Sequence, residues 1–316
     1  MRSLLSAIFS IVAILPSSAS TKKKVEVHGH RGARAIYPEN SLEGFLYAAG
    51  LSVDFVELDL HLTKDEKVVV THDPTINNKR CKKSQKPLTE ELKIYALTFK
   101  QLEDITCGDH PDHQGFPSRP SPAHIPLLES IVPEVLKLHP QAQFNIEIKY
   151  RESGQKEGLY PPRELLVSKV LDKVDQLGIW KQTVIQSFDQ RVLLLVQSMA
   201  QSKFEAIRLS YLYQGEPKIG LKFCGSRCLV PDWKKAKEFL HKNQIPIFSP
   251  SFSHLDSVLY SSSFLKHIVK DKEKKFTIIP WTLNSKREWQ RAVLHYEVDG
   301  IITDKPEQLI TFLKEI

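Results

Sequence analysis

The chain has 316 residues, carries 44 basic against 37 acidic side chains for a net charge of +7, and is 41% hydrophobic. This length fits one large domain or two ordinary ones, with ample chain to bury a core. The lysine clusters at Lys22–Lys24, Lys79–Lys86, Lys234–Lys237 and Lys270–Lys275 come with no zinc-finger spacing or RNA-binding signature. Nucleic-acid binding is therefore set aside, which leaves solvated faces or attraction to phosphate-bearing substrates or anionic lipid.

The first segment reads as an export signal. Arg2 supplies positive charge, Leu4–Leu15 is an apolar run too short to span a bilayer, and Pro16–Ser20 offers small residues for cleavage near Ser20. A buried N-terminal helix is the alternative. Residues 1–20 are expected to be removed as a signal peptide, leaving a domain over 21–316 in the periplasm or, alternatively, secreted. No second apolar run reaches about 18 residues, so no stable membrane insertion is expected.

From Lys24 onward, short apolar, β-branched runs alternate with helical patterns. The pattern predicts strands over Val25–Gly29, Phe55–Leu62, Gln143–Lys149, Thr183–Phe188, Glu205–Tyr211, Pro246–Pro250, Phe276–Leu283 and Gly300–Asp304. It predicts helices over Ser41–Gly50, Leu128–His139, Arg163–Leu177, Gln190–Ala200, Asp232–Lys242, Asp256–Val269, Ser285–Tyr296 and Pro306–Ile316. Asp232 and Pro306 suit helix starts. Eight strand–helix units match an α/β, TIM-type (β/α)8 barrel. An open doubly wound sheet is the alternative, weakened by the lack of a Gly-rich phosphate turn.

One stretch, about Lys64 to Pro126, breaks the alternation between the second and third barrel strands. It carries a hairpin at Lys67–Thr71 and then a Lys-, Pro- and Cys-rich region, and reads as a long insertion. The four cysteines permit two disulfides in an exported chain. Cys81–Cys107 with Cys224–Cys228 is the simplest of three connectivities. A zinc site at Cys224 and Cys228 would need a companion His/Cys pair, and none sits nearby.

Three acids stand on predicted barrel strands. Glu57 and Asp59, spaced i, i+2, share one strand face. Glu147 sits on the next barrel strand. Three carboxylates gathered without a cation repel one another, so a divalent metal is expected; oxygen-only ligation selects Ca²⁺ or Mg²⁺. Pairing with lysines, or exposure to solvent, is the alternative. His30 and His72 follow strands, at the end of a barrel where active sites lie, and a histidine pair can act as acid and base on a phosphodiester. Arg31 offers a planar fork for phosphate oxygens.

His30-Arg31-Gly32-Ala33 with Pro38-Glu39-Asn40-Ser41 resembles the opening signature of the glycerophosphodiester phosphodiesterase family. So do Glu57-Leu58-Asp59, Val70-Thr71-His72-Asp73-Pro74, Asn145-Ile146-Glu147-Ile148-Lys149, Gln186-Ser187-Phe188, Trp281-Thr282-Leu283-Asn284 and the run from Asp299 to Pro306 through Thr303-Asp304. The resemblance runs in order from about Val25 to the C-terminus. It implies a barrel, a Ca²⁺ or Mg²⁺ requirement, and hydrolysis of a small-molecule glycerophosphodiester to glycerol 3-phosphate and an alcohol. It also implies roles: His30 and His72 as the acid/base pair; Glu57, Asp59 and Glu147 as metal ligands, with Glu39 in support; Arg31 and Lys149 at the phosphate; Phe188 and Trp281 as an aromatic wall. His28 departs from the family pattern and is expected to be structural. The insertion is longer and more basic than in compact members.

The implied mechanism sets the glycerol 2-hydroxyl, activated by one histidine, against the phosphorus, with direct attack by water as the other route. Three rival readings are carried. The first is a phospholipase D acting on lysophospholipid or sphingomyelin. The second, disfavoured by the three-acid pattern, is a phosphatidylinositol-specific phospholipase C. The third is a non-catalytic binding protein that captures glycerophosphodiesters, for which a complete histidine pair would be superfluous.

Overall fold

The computed structural model describes residues 23–200, 207–217, 229–257, 261–269 and 276–316. The expected signal peptide and the Cys224–Cys228 pair lie outside the described residues.

The chain alternates strands and helices as the pattern predicts. The barrel strands are β1 (Glu26–Gly29), β2 (Phe55–Leu62), β3 (Gln143–Ile148), β4 (Thr183–Ser187), β5 (Arg208–Tyr213), β6 (Ile247–Pro250), β7 (Thr277–Ile278) and β8 (Gly300–Thr303). Neighbours pair in parallel in the order β7-β6-β5-β4-β3-β2-β1-β8. The seam between β7 and β8 is nearly closed by backbone bonds, with Asp299 N donating to Ile278 O at 2.9 Å and Ile302 N to Pro280 O at 3.0 Å. First and last strands lie side by side, as a (β/α)8 barrel requires and an open doubly wound sheet does not.

Period-two alternation decides which residues line the interior. On β2, Val56, Leu58, Leu60 and Leu62 belong to the main core, between sheet and helices, together with Phe144, Ile146 and Ile148 of β3. The alternate residues face inward. Phe55 joins Val184, Ile247, Ile279 and Ile302 in an apolar layer inside the barrel. Glu57 and Asp59 follow on the same face. The strand therefore buries aliphatic side chains outward and presents polar ones to the barrel axis.

Two predicted elements come out differently. The seventh strand shrinks from Phe276–Leu283 to Thr277–Ile278. Pro280 has no N–H for a ladder, so regular pairing stops before it. The predicted helix Asp256–Val269 differs at both described ends: a short helix, Phe252–Leu255, closes at Asp256 where the predicted one would begin, while Ser261–Phe264 is helical and Leu265–Val269 continues in wider, π-type turns. Ser257, just past the end of the short helix, is a poor interior helix former, because its hydroxyl competes for backbone partners.

The insertion is built from small antiparallel pieces. Val68–Val70 pairs with β2, and Lys86–Pro87, Cys81–Lys83, Ile105–Cys107 and Ala123–His124 make a four-stranded sheet. Ile76, Ile94, Leu102 and Ile105 give it a small core of its own. Cys81 and Cys107, paired across adjacent strands and 26 residues apart, form a disulfide. Closing a loop of that length stabilises by roughly 3 kcal/mol. Replacing both cysteines by serine is expected to cost about that much locally. Faster amide exchange and proteolysis confined to residues 64–126, with the barrel still protected, is the expected reading.

Candidate active site

The site begins where β1 ends. The turn His30-Arg31-Gly32 folds back tightly onto the helix Leu42–Gly50. A Cβ on Gly32, whose φ is +87°, would lie 2.7 Å from the Gly44 carbonyl carbon, so only glycine fits there. Arg31 itself adopts a φ of 49°, a conformation that an L residue holds only when its surroundings enforce it. Here its backbone N–H donates to Glu57 Oε2 at 2.8 Å.

Register brings the acids together. Asp59 on β2 stands directly across from Glu147 on β3, and Glu57 across from Asn145. Glu57, Asp59 and Glu147 are all buried, each offering an oxygen within 4.8 Å of the others. Lys149 Nζ lies 2.9 Å from Glu147 and 3.1 Å from Asp59. Asn40 donates to Asp59 Oδ2 at 2.8 Å, and Arg31 Nε is 3.4 Å from the same oxygen. Burial pushes the Glu57 carboxyl well above its ordinary value, and the Asp59 charge adds to the shift. Burial acts on Asp59 as well, but Lys149, His72 and Arg31 outweigh it and hold that carboxyl well below the usual range.

The cluster fits a divalent cation. Among the described residues Glu57 has no ion-pair partner, and Asp59 Oδ1, although beside Lys149, accepts no hydrogen bond. The donors are all carboxylate oxygens, the set that hard cations such as Mg²⁺ and Ca²⁺ take. The alternative of acids paired with lysine is also partly realised, by Lys149, with Arg31 beside Asp59, but Arg31 is shared with Glu39 and the two cations do not balance the three carboxylates of the cluster.

The two histidines face the same cavity as Glu57 and Glu147. His30 Nδ1 donates to Asp304 Oδ1 at 2.6 Å, which leaves Nε2 as the free nitrogen. Asp304 is itself held by Asn284 Nδ2 at 2.6 Å and by Arg34. Burial raises the Asp304 carboxyl, but His30 and Arg34 bring it down to about 2. Burial and the Arg31 charge lower the His30 imidazole against the pull of Asp304. His72 Nδ1 meets Asp73 at 2.8 Å in the same manner. The two carboxylates differ in exposure: Asp304 is 4% exposed and Asp73 is 46% exposed.

The structure thus gathers most of the predicted site around one cavity. Arg31, Lys149, Phe188 and Trp281 line it together with the histidines. Phe188 and Trp281 meet edge to face at 5.4 Å, and the Trp281 indole N–H donates to Ser249 O. Asp59 is buried within the acid cluster. Glu39 stands outside that cluster; its Oε2 accepts from Arg31 at 2.8 Å and Arg34 at 2.9 Å. Those two guanidiniums bring the Glu39 carboxyl down to about 2 against its burial.

Sequence reasoning quoted Asn40, Gln186, Asn284 and Asp304 inside motifs but gave them no role, and passed over His61. His61 is buried with Nε2 3.1 Å from the His72 carbonyl, so its N–H steadies that loop, and burial lowers its imidazole to about 4. The available signal was a polar residue at an inward strand position or just past a strand's end. Replacing Asp304 by asparagine is expected to slow turnover roughly 10- to 100-fold, part of the 10²–10⁴ that a positioned acid or base supplies. KM should change little; an unaltered kcat would show that His30 needs no orienting carboxylate.

Comparison with known proteins gives the family. A glycerophosphodiester phosphodiesterase of Caldanaerobacter subterraneus is 28% identical over 294 residues, covering 92% of this chain and 99% of that one. A lysophospholipase D of Rattus norvegicus is 24% identical over 298 residues, covering 91% and 85%. A solved structure from Silicibacter pomeroyi, assigned as a glycerophosphoryl diester phosphodiesterase, matches with TM-score 0.73 at 25% identity over 92% of this chain and 93% of that one. The model of the glycerophosphoryl diester phosphodiesterase family matches residues 30–308. That span reaches from the first histidine of the cavity past the aspartate that holds it, and the chain is a phosphodiesterase belonging to this family.

Proposed function

We propose that this enzyme hydrolyses small glycerophosphodiesters to sn-glycerol 3-phosphate and an alcohol, at a site that holds Ca²⁺ or Mg²⁺ on Glu57, Asp59 and Glu147. The observation that carries this reading is one cavity lined by two carboxylate-held histidines and an acid cluster with too little positive charge of its own. A cation bound there supplies charge neutralisation at the phosphoryl oxygens. Arg31 and Lys149 orient the phosphate by charge-assisted hydrogen bonds. One imidazole takes the proton of the glycerol 2-hydroxyl as that oxygen attacks phosphorus. The other gives a proton to the departing alkoxide as its P–O bond breaks. Water then opens the cyclic phosphate with the two roles exchanged, and the product leaves as glycerol 3-phosphate. Intramolecular attack gains from proximity.

Phe188 and Trp281 form the wall against which the glycerol or alcohol carbons pack. Phe188, 39% exposed, also offers a surface to an acyl chain, which favours lysophospholipid as a second reading. The expected export to the periplasm is supported by the Cys81–Cys107 disulfide, since such bonds persist in oxidising compartments. No helix among the described residues is long and apolar enough to cross a membrane.

The test is an assay for released glycerol 3-phosphate across several headgroups, with choline release compared between glycerophosphocholine and lysophosphatidylcholine, with EDTA and with Ca²⁺ or Mg²⁺ restored. Metal-dependent release is expected, and none from a diester lacking the 2-hydroxyl. Release of the phosphorylated headgroup instead, or full activity in EDTA, would overturn the proposal. Normal turnover of the 2-deoxy analogue would replace internal attack by direct attack of water.

A further inference from the structure

We infer that His28, Asn145 and Gln186 form a relay of positioning residues that locks Glu57 in its metal-binding orientation. The inference rests on the metal reading above.

All three are buried polar residues: His28 and Asn145 on β1 and β3, the strands that flank β2, and Gln186 on β4, one strand further round the barrel. Gln186 Nε2 donates to Glu57 Oε1 at 2.8 Å. Ionised, as a metal ligand must be, the Glu57 carboxylate accepts and does not donate, so in that state the Gln186 nitrogen faces Glu57 and its oxygen faces away. That oxygen accepts from Asn145 Nδ2 at 3.0 Å. The same Asn145 nitrogen lies 3.4 Å from His28 Nδ1. His28 Nε2 faces Glu26 at 3.3 Å, which draws the ring proton to Nε2 and leaves Nδ1 as an acceptor. Stacking on Phe55 at 4.2 Å fixes the imidazole plane. Each link therefore dictates the donor sense of the next, from the β1 histidine through β3 and β4 to the acid on β2.

The relay leaves a polar atom unmet. Asn145 Oδ1 is buried with no hydrogen-bond partner among the described residues. Turning that amide round would give its oxygen no donor on the Gln186 side and lose the Gln186 contact. With Arg31 N–H on Oε2 and Gln186 on Oε1, both Glu57 oxygens are pinned by neutral donors. They orient the carboxylate without supplying the charge a cation brings. This also accounts for His28, which reaches the site only through two amides.

The experiment uses the full chain and the metal alone. Gln186→Met keeps length and removes the donor. By titration calorimetry its Kd for Ca²⁺ or Mg²⁺ is expected to rise about 10- to 100-fold, the usual effect of losing a partner of a metal ligand. The melting temperature of the metal-free protein should stay close to that of the parent, a split that a purely structural role would not give. Asn145→Leu, which touches Glu57 only through Gln186, is expected to weaken metal binding in the same direction. The double variant should be little worse than Gln186→Met, because both act by one route. Unchanged metal affinity in either folded single variant, or fully additive losses, would overturn the relay. Absence of metal binding in the parent protein would instead sink the metal reading itself, which is a distinguishable result.

Discussion

Glu57→Gln is expected to reduce turnover by roughly 10³-fold or more and to erase the rise in melting temperature that divalent metal confers. The rate estimate converts the several kcal/mol that a cation contributes at a phosphoryl centre, at about 1.4 kcal/mol per tenfold. The thermal effect follows from linkage: a ligand at about 100 times its Kd stabilises the fold by about 2.7 kcal/mol, and a protein that no longer binds it gains nothing. The metal-free variant should not be severely weakened. Burial and the Asp59 charge already oppose the ionised form of Glu57, so removing that charge relieves repulsion and offsets the disturbed contacts with Gln186 and Arg31. Scanning calorimetry with and without metal, beside a rate measurement, checks both halves. A variant that keeps its metal-induced stabilisation would show that Glu57 is not a ligand.

His30→Ala and His72→Ala should each slow hydrolysis by at least about 100-fold while leaving metal binding in place, because each removes a proposed proton-transfer partner and no carboxylate of the cluster. Residues that work as a unit do not add. The double variant is therefore expected to fall little below the slower single variant. The pH profile should lose one limb in each single variant, since a bell needs both an acid and a base. Near-native turnover in either variant would remove that histidine from the chemistry. Simple multiplication of the two losses would mean that the imidazoles act in separate steps without dependence on each other.

The barrel was legible because it rests on local periodicity. Phe55–Leu62 alternates aliphatic and polar residues, and the same reading that made it a strand put Glu57 and Asp59 on one face. The segment from Asp256 to Val269 was not legible in this way. Its apolar spacing reads as one regular helix, and only the structure shows a short helix closing at Asp256 and π-type turns over Leu265–Val269. Pro280 carried a warning that the apolar run around it concealed. The insertion could be marked as foreign to the repeat, and its Cys81–Cys107 link proposed, but its small sheet arises from pairings between short strands of little individual propensity.

What the sequence determined by itself is the alternation of eight strands and helices, the inward placement of the three acids and the appearance of a histidine after the first barrel strand. Spacing along one chain segment suffices for each of these. What only the tertiary structure decided is who holds whom. The partner of His30 lies 274 residues away, and the amide that pins Glu57 lies 129 residues away. Contacts of that kind are set by barrel closure and strand register, which place distant residues side by side; no local pattern encodes them, because the energy that selects them arises only once the whole sheet has closed.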